Sequence, residues 1–307
     1  MADSPVDIRE NDIFRRAPEV LEALLRDCTL SWEGVQANIS WATDCYAERG
    51  EGYRYDDRIT AAAITGKNGG VIVPRAVKPR EEQQQRSRDR AEVFTPAWMC
   101  NKQNNLIDNA WFGREGVFNT EVDNPDGTHT WTVNTEPVTF TEGRSWRDYV
   151  NEKRLEITCG EAPYLVSRYD AVTGKPIPTE RRIGLLDRKL RVVGENTDSS
   201  RAWLRAARAA YMSVYGFEWQ GDNLVLAREN LLYTFIDYYR AKFGKTPQRR
   251  TLRDIADIIS WNIWQMDGLK GTLPGADADA TEGVYALIKD WSARKPRQIV
   301  RFIDLVK

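Results

Sequence analysis

From residue 151 onward, short apolar runs alternate with longer amphipathic stretches, and few folds accept that order. Leu155 and Ile157 alternate with polar neighbours and run into Cys159-Gly160, which reads as a buried strand ending in a tight turn. Further strands are predicted over 182–187 and 214–222, with a fourth inside 252–262. Helices are predicted over 199–214 and 224–243, and a short one over 189–193. Strands and helices in turn are the pattern of a doubly wound α/β domain, whose last strands would be 284–291 and 298–306.

Upstream, Ile13, Phe14, Val20, Leu21, Leu24 and Leu25 fall at helical spacing. Residues 31–45 are a further helix candidate, and 53–73 an irregular strand pair around Gly66-Lys-Asn-Gly-Gly70. Residues 1–90 are therefore expected to be mainly helical, to pack on the sheet, and to be available for contact with DNA or a partner. Residues 91–307 would form the α/β domain. Within it, Asn124-Pro-Asp-Gly127 in an alternating stretch predicts a β-hairpin insertion over 117–140. Thr95 before Pro96 predicts the N-cap and first turn of a helix over 99–109, and 146–151 a short helix. The cations Arg75, Lys78, Arg80, Arg86, Arg88 and Arg90 suit either a solvated segment or an arm that contacts phosphates.

Composition narrows the function. Charged residues at 29% and no apolar run of membrane-spanning length point to a soluble chain, and the N-terminal residues lack a signal-peptide pattern. Four cysteines without CxxC spacing read as reduced thiols, so a cytoplasmic location is expected. A single histidine, His129, argues against imidazole-rich metal sites and histidine triads, and no metal is expected. A net charge of −1 means that nucleic-acid binding must come from local patches.

Three predicted strands end in or beside an acid: Glu156, Asp187 and Asp222. In an open α/β sheet ligands bind at the carboxyl ends of the strands, so these acids would line one edge. Three carboxylates repel phosphate and suit a cationic nucleoside such as S-adenosylmethionine.

These segments resemble the amino-methylating DNA adenine methyltransferases of restriction–modification systems over roughly residues 91–271. Phe94-Thr95-Pro96 is similar to that family's FTP box, and Glu156-Ile-Thr-Cys159-Gly160-Glu-Ala162 to its acid-Pro-x-Cys-Gly-x-Gly loop. Ile183-Gly-Leu-Leu-Asp187 resembles the strand whose acid holds the ribose. Gln220-Gly-Asp222-Asn223-Leu224 resembles the segment that meets the adenine. Residues 256–265 sit where the family has its catalytic loop. The whole stretch also resembles restriction endonuclease methylation subunits.

Two departures stand out: Ile157 and Ala162 replace the loop's proline and second glycine, and Ile263-Trp264-Gln265 replaces Pro-Pro-aromatic after the Asn. The resemblance implies a Rossmann-like methyltransferase sheet with S-adenosylmethionine at Phe94, Thr95, Pro96, Glu156, Cys159, Gly160, Asp187, Asp222 and Asn223. It implies a flipped base whose amino group is held by Asn262, with Trp261 or Trp264 stacking on it or Gln265 reading its edge. DNA is the implied partner, with a restriction or specificity subunit as a second. The same residues also suit a non-catalytic DNA- or partner-binding protein of this fold, or a methyltransferase acting on RNA or another substrate.

Overall fold

The computed structural model describes residues 10–275, 284–293 and 298–306. Its N-terminal part carries α1 (Glu10–Arg16), α2 (Pro18–Leu25), α3 (Ala61–Ile64) and α4 (Arg80–Arg90). Next come α5 (Ala97–Phe112), the strands β1 (Asn119–Asp123) and β2 (His129–Val133), and α6 (Trp146–Asn151). The remainder is β3 (Arg154–Glu156), α7 (Leu185–Glu195), α8 (Ser200–Met212), β4 (Val214–Glu218), α9 (Gly221–Phe243), α10 (Arg249–Asn262) and β5 (Ile263–Gln265), then β6 (Leu287–Lys289) and β7 (Ile299–Arg301). The fold mixes many helices with few, short strands.

The centre is a three-stranded parallel sheet in the order β3-β4-β5. Alternation along the strands sorts their side chains. Val214 and Ile263 enter the main core with α2, α7, α8, α9 and α10. Tyr215, Phe217 and Trp264 enter a smaller cluster with Met266, Ile288 and Phe302. Residues from Ile13 to Ile72 share the main core with residues 112–263, so the N-terminal region packs on the sheet's helices. Arg228 fastens this seam, its guanidinium donating to the carbonyls of Leu24, Arg26, Ser260 and Ile263.

Several expected elements differ. Residues 252–262 are a helix, because Ile255, Ala256, Ile258, Ile259 and Asn262 bury one helical stripe; the strand begins only at Ile263. Residues 182–187 start a helix: Asp187 in its first turn accepts from the Gly184 N–H, and from the Ser167 N–H and hydroxyl. The third strand stops at Glu218, four residues before Asp222. A Cβ at Gly221 would lie 2.0 Å from the Ser40 carbonyl, so the chain turns there under the N-terminal region and starts α9. The closing strands β6 and β7 pair antiparallel with each other, apart from the parallel sheet. Residues 31–45 hold one 3-10 turn and extended bridges (Arg26 to Asn38, Ser40 to Arg58), and 53–73 contain α3 where a strand pair is expected. The hairpin β1–β2 forms around Asn124-Pro-Asp-Gly127, with Asn119 opposite Val133. No helix among the described residues is long and apolar enough to cross a membrane.

Candidate functional site

At the carboxyl ends of β3 and β4 lies a cavity of about 550 Å³, a volume that suits a nucleoside-sized ligand. Its floor is the loop after β3. Thr158, Gly160 and Ala162 in that loop all take left-handed backbone angles, at φ +44°, +53° and +62°. Ala162, where the family pattern has its second glycine, thus holds a conformation that glycine adopts most easily. The Phe94 ring packs against Gly160 at a distance that a Cβ would also accept, 3.4 Å from two ring carbons, so it is the positive φ that favours glycine there.

Two buried carboxylates end the strands and face the cavity. Glu156, last in β3, accepts from the Tyr164 and Leu165 N–H groups at 3.2 and 3.1 Å. Glu218, last in β4, accepts from the Gly160 N–H at 2.8 Å and the Gln220 N–H at 3.1 Å. Burial pushes Glu156 up to about 8 against the pull of those two donors, with the like charge of Glu218 adding to the rise. Burial raises Glu218 as well. The lining contains no lysine, arginine or histidine. Glu92, the third acid there, is already paired with Arg86 at 2.7 Å. Phe94, Tyr164 and Trp219 supply half-buried aromatic surface, and Val93 and Ile157 form an exposed apolar rim.

No family model, curated protein or solved structure matches the chain.

Of the residues expected to hold a cofactor, Phe94, Thr95, Glu156, Cys159, Gly160 and Asn223 line this cavity, whereas Pro96, Asp187 and Asp222 do not. Pro96 precedes α5, whose first N–H at Ala97 is capped by Asp170 at 2.7 Å; Thr95 makes no capping bond. Asp187 is spent on its own helix start and is 1% exposed. Asp222 is fully buried between Arg86 at 2.8 Å, Lys78 at 3.4 Å and the Tyr46 hydroxyl at 2.7 Å. Burial alone would raise Asp222, but Arg86 and then Lys78 hold it at about 2. This network consumes Lys78 and Arg86, so the expected phosphate-contacting arm turns two of its cations inward.

The expected catalytic trio does not reach the cavity. Asn262 ends α10 just before β5, so it sits at the amino end of the sheet, while the cavity is at the carboxyl end. Its amide donates to the Tyr211 and Val214 carbonyls at 2.9 Å each and accepts from the Trp291 indole at 2.7 Å. Trp264 packs on the opposite sheet face with Phe217 and Phe302. Gln265 points towards the N-terminal region, where its amide bonds Ser40 and the Trp219 carbonyl.

Sequence reasoning missed Glu218, Trp219, Tyr164 and Glu92. Glu218 had a visible signal: it is the first acid after the apolar run from Val214. Glu92 had none, since only the distant approach of Gln220 and Asn223 brings it to the cavity.

Proposed function

We propose that this cavity binds S-adenosylmethionine and that the chain is a methyltransferase-type domain acting on an amino group in DNA. One observation carries the reading. Among the described residues, four non-glycine side chains sit on left-handed backbone: Ala42, Ala91, Thr158 and Ala162. The first three line the cavity, and the fourth closes its floor loop. Backbone strain of this kind persists where the surroundings enforce it, and it clusters at ligand sites.

The chemistry supports a cation. Two carboxylates without a lining base suit a sulfonium and an ammonium and disfavour a phosphate. Glu218, at the end of the central strand, takes the ribose-diol role that the family pattern lends to Asp187. Phe94 and Trp219 offer faces for the adenine. Bound there, the cofactor supplies an electrophilic methyl group. The parallel order β3-β4-β5 with the cavity at its carboxyl ends supports this reading, for which the doubly wound sheet remains the fold we propose. The inward placement of Asn262, Trp264 and Gln265 favours a second reading, a cofactor-binding domain without methyl transfer of its own.

A pH series tests the cavity. Glu156 must ionise to meet a cation, so cofactor affinity rises with pH and levels off above about 8. The loss below that point is up to about tenfold per pH unit. The ligand-free protein shows the opposite trend: a carboxyl raised by burial stabilises the fold at low pH, and that contribution is lost as pH rises through about 8. Both slopes flatten in Glu156→Gln. An affinity that ignores pH in the unaltered protein would count against a cationic ligand. Transfer of tritiated methyl groups to DNA separates the two readings.

A further inference from the structure

The chain is almost neutral overall, yet residues 199–217 and 238–253 contain nine lysines or arginines and no acid. The fold brings these two stretches together. Arg201, Arg205 and Arg208 lie at i, i+4 and i+7 on α8, which places them along one side of that helix. Trp203, in the first turn of α8, packs edge-on against Phe243 at the end of α9, with ring centroids 6.1 Å apart. Arg208 pairs with Asp254 of α10 at 2.9 Å, which draws in Arg249, Arg250 and Arg253 on the first turns of α10.

Acids neutralise part of this surface: Asp254 on Arg208, Glu19 on Arg249 and Asp257 on Arg253. Arg201, Arg205, Lys245 and Arg250 are exposed and make no ion pair among the described residues. Their charges are therefore free to meet an outside anion.

We propose that this surface, formed by α8, the end of α9 and the start of α10, binds the phosphate backbone of duplex nucleic acid. Three observations choose that partner. The cations are mostly arginines, whose planar fork suits phosphate oxygens. They extend over three helix segments, as a run of phosphates requires. And no large apolar side chain is exposed anywhere from 173 to 268, so the surface lacks the apolar face by which a basic helix enters a membrane.

The surface is an anchor, separate from the cofactor cavity. From Asp222, beside the cavity, to Arg240, α9 runs 18 residues, which is about 27 Å at 1.5 Å per residue. A duplex covers that length in about eight base pairs. The proposal rests on the nucleic-acid half of the reading above and not on the cofactor half, so it is tested without cofactor.

The test is the salt dependence of binding to a fluorescein-labelled duplex of arbitrary sequence, followed by anisotropy. The quadruple variant Arg201→Gln, Arg205→Gln, Lys245→Gln, Arg250→Gln is compared with Arg49→Gln, Arg54→Gln, Arg80→Gln, Arg88→Gln, which changes the net charge equally at other exposed cations. In the first variant the slope of log K against log salt falls by about 0.9 for each phosphate no longer neutralised, up to about 3.6 for four, and affinity drops at least tenfold at low salt. The second variant stays close to the unaltered protein. Equal losses in both variants, no loss in either, absence of duplex binding by the unaltered protein, or equal affinity for anionic phospholipid vesicles would each overturn the proposal. Exposed positions tolerate such changes, Arg88 losing only a solvent-exposed pair with Asp89, and unchanged thermal melts confirm that both variants fold.

Discussion

Asp222→Ala unfolds easily: its stability falls by about 3–5 kcal/mol, the cost of taking the shared counter-charge from two buried cations. Arg86 and Lys78 are both almost completely buried, and Asp222 accepts from them and from the Tyr46 hydroxyl. Removing the carboxylate leaves Arg86 with Glu92 alone and Lys78 with only the more exposed Glu82 at 3.6 Å. It also loosens the join between the N-terminal region and the first turn of α9. The carboxylate, held at about 2, contributes this stability at neutral pH and loses it as pH falls towards that value. Urea unfolding at neutral pH measures the loss, and repetition at acid pH shows the difference between variant and unaltered protein shrinking. A loss below about 1 kcal/mol would mean that water or another base replaces Asp222. The consequence for function is direct: any failure of Asp222→Ala to bind cofactor would report a damaged fold, not a missing partner for the adenine.

Asn262→Ala is the second large effect, about 2–4 kcal/mol, from two backbone carbonyls and one indole N–H that each lose a hydrogen bond. Asn262 ties the end of α8 and the start of β4 to Trp291, so its loss opens the amino end of the sheet. Cofactor affinity in the folded fraction stays unchanged, because the cavity is at the other end of the strands. Chemical denaturation and a binding titration at low temperature check the two halves. If stability is unchanged while methyl transfer disappears, Asn262 acts on the acceptor and the structural role assigned to it is wrong.

Both residues show what was legible in the sequence. The hairpin was readable because Asn124-Pro-Asp-Gly127 admits few conformations. Helices α8 and α9 were readable in outline, and β3 with its Cys-Gly turn lies where predicted, but its faces are inverted: Leu155 and Ile157, expected inside, are exposed, and Glu156 is buried. Leu252–Asn262 reads falsely as a strand because its isoleucines favour strands, whereas their spacing of three and four residues belongs to a helix buried on one side. That error moves Asn262 from the amino to the carboxyl end of a strand and makes it resemble a catalytic group. Asp222 misleads for a different reason. Nothing local shows that Ser40 passes over Gly221 and forces the strand to stop four residues early. Burial of Asp222 among Tyr46, Lys78 and Arg86 is a long-range fact of the same kind. The cavity was therefore half visible: its loop and FTP segment could be read, while Glu218 and the aromatic walls needed the fold.

The central claim is that Glu156 and Glu218 make the cavity a site for a cationic nucleoside. Calorimetric titration with S-adenosylmethionine tests it most directly, comparing the unaltered protein with Glu218→Gln. Removing one charge-assisted hydrogen bond is worth about 1.5–3 kcal/mol, so the variant binds roughly tenfold to a hundredfold more weakly. Its melting temperature falls only slightly, since glutamine removes a buried raised carboxyl and keeps an acceptor for the Gly160 N–H, at the cost of the acceptor for the Gln220 N–H. Equal binding by both proteins would contradict the account, and so would no binding by the unaltered protein with or without DNA.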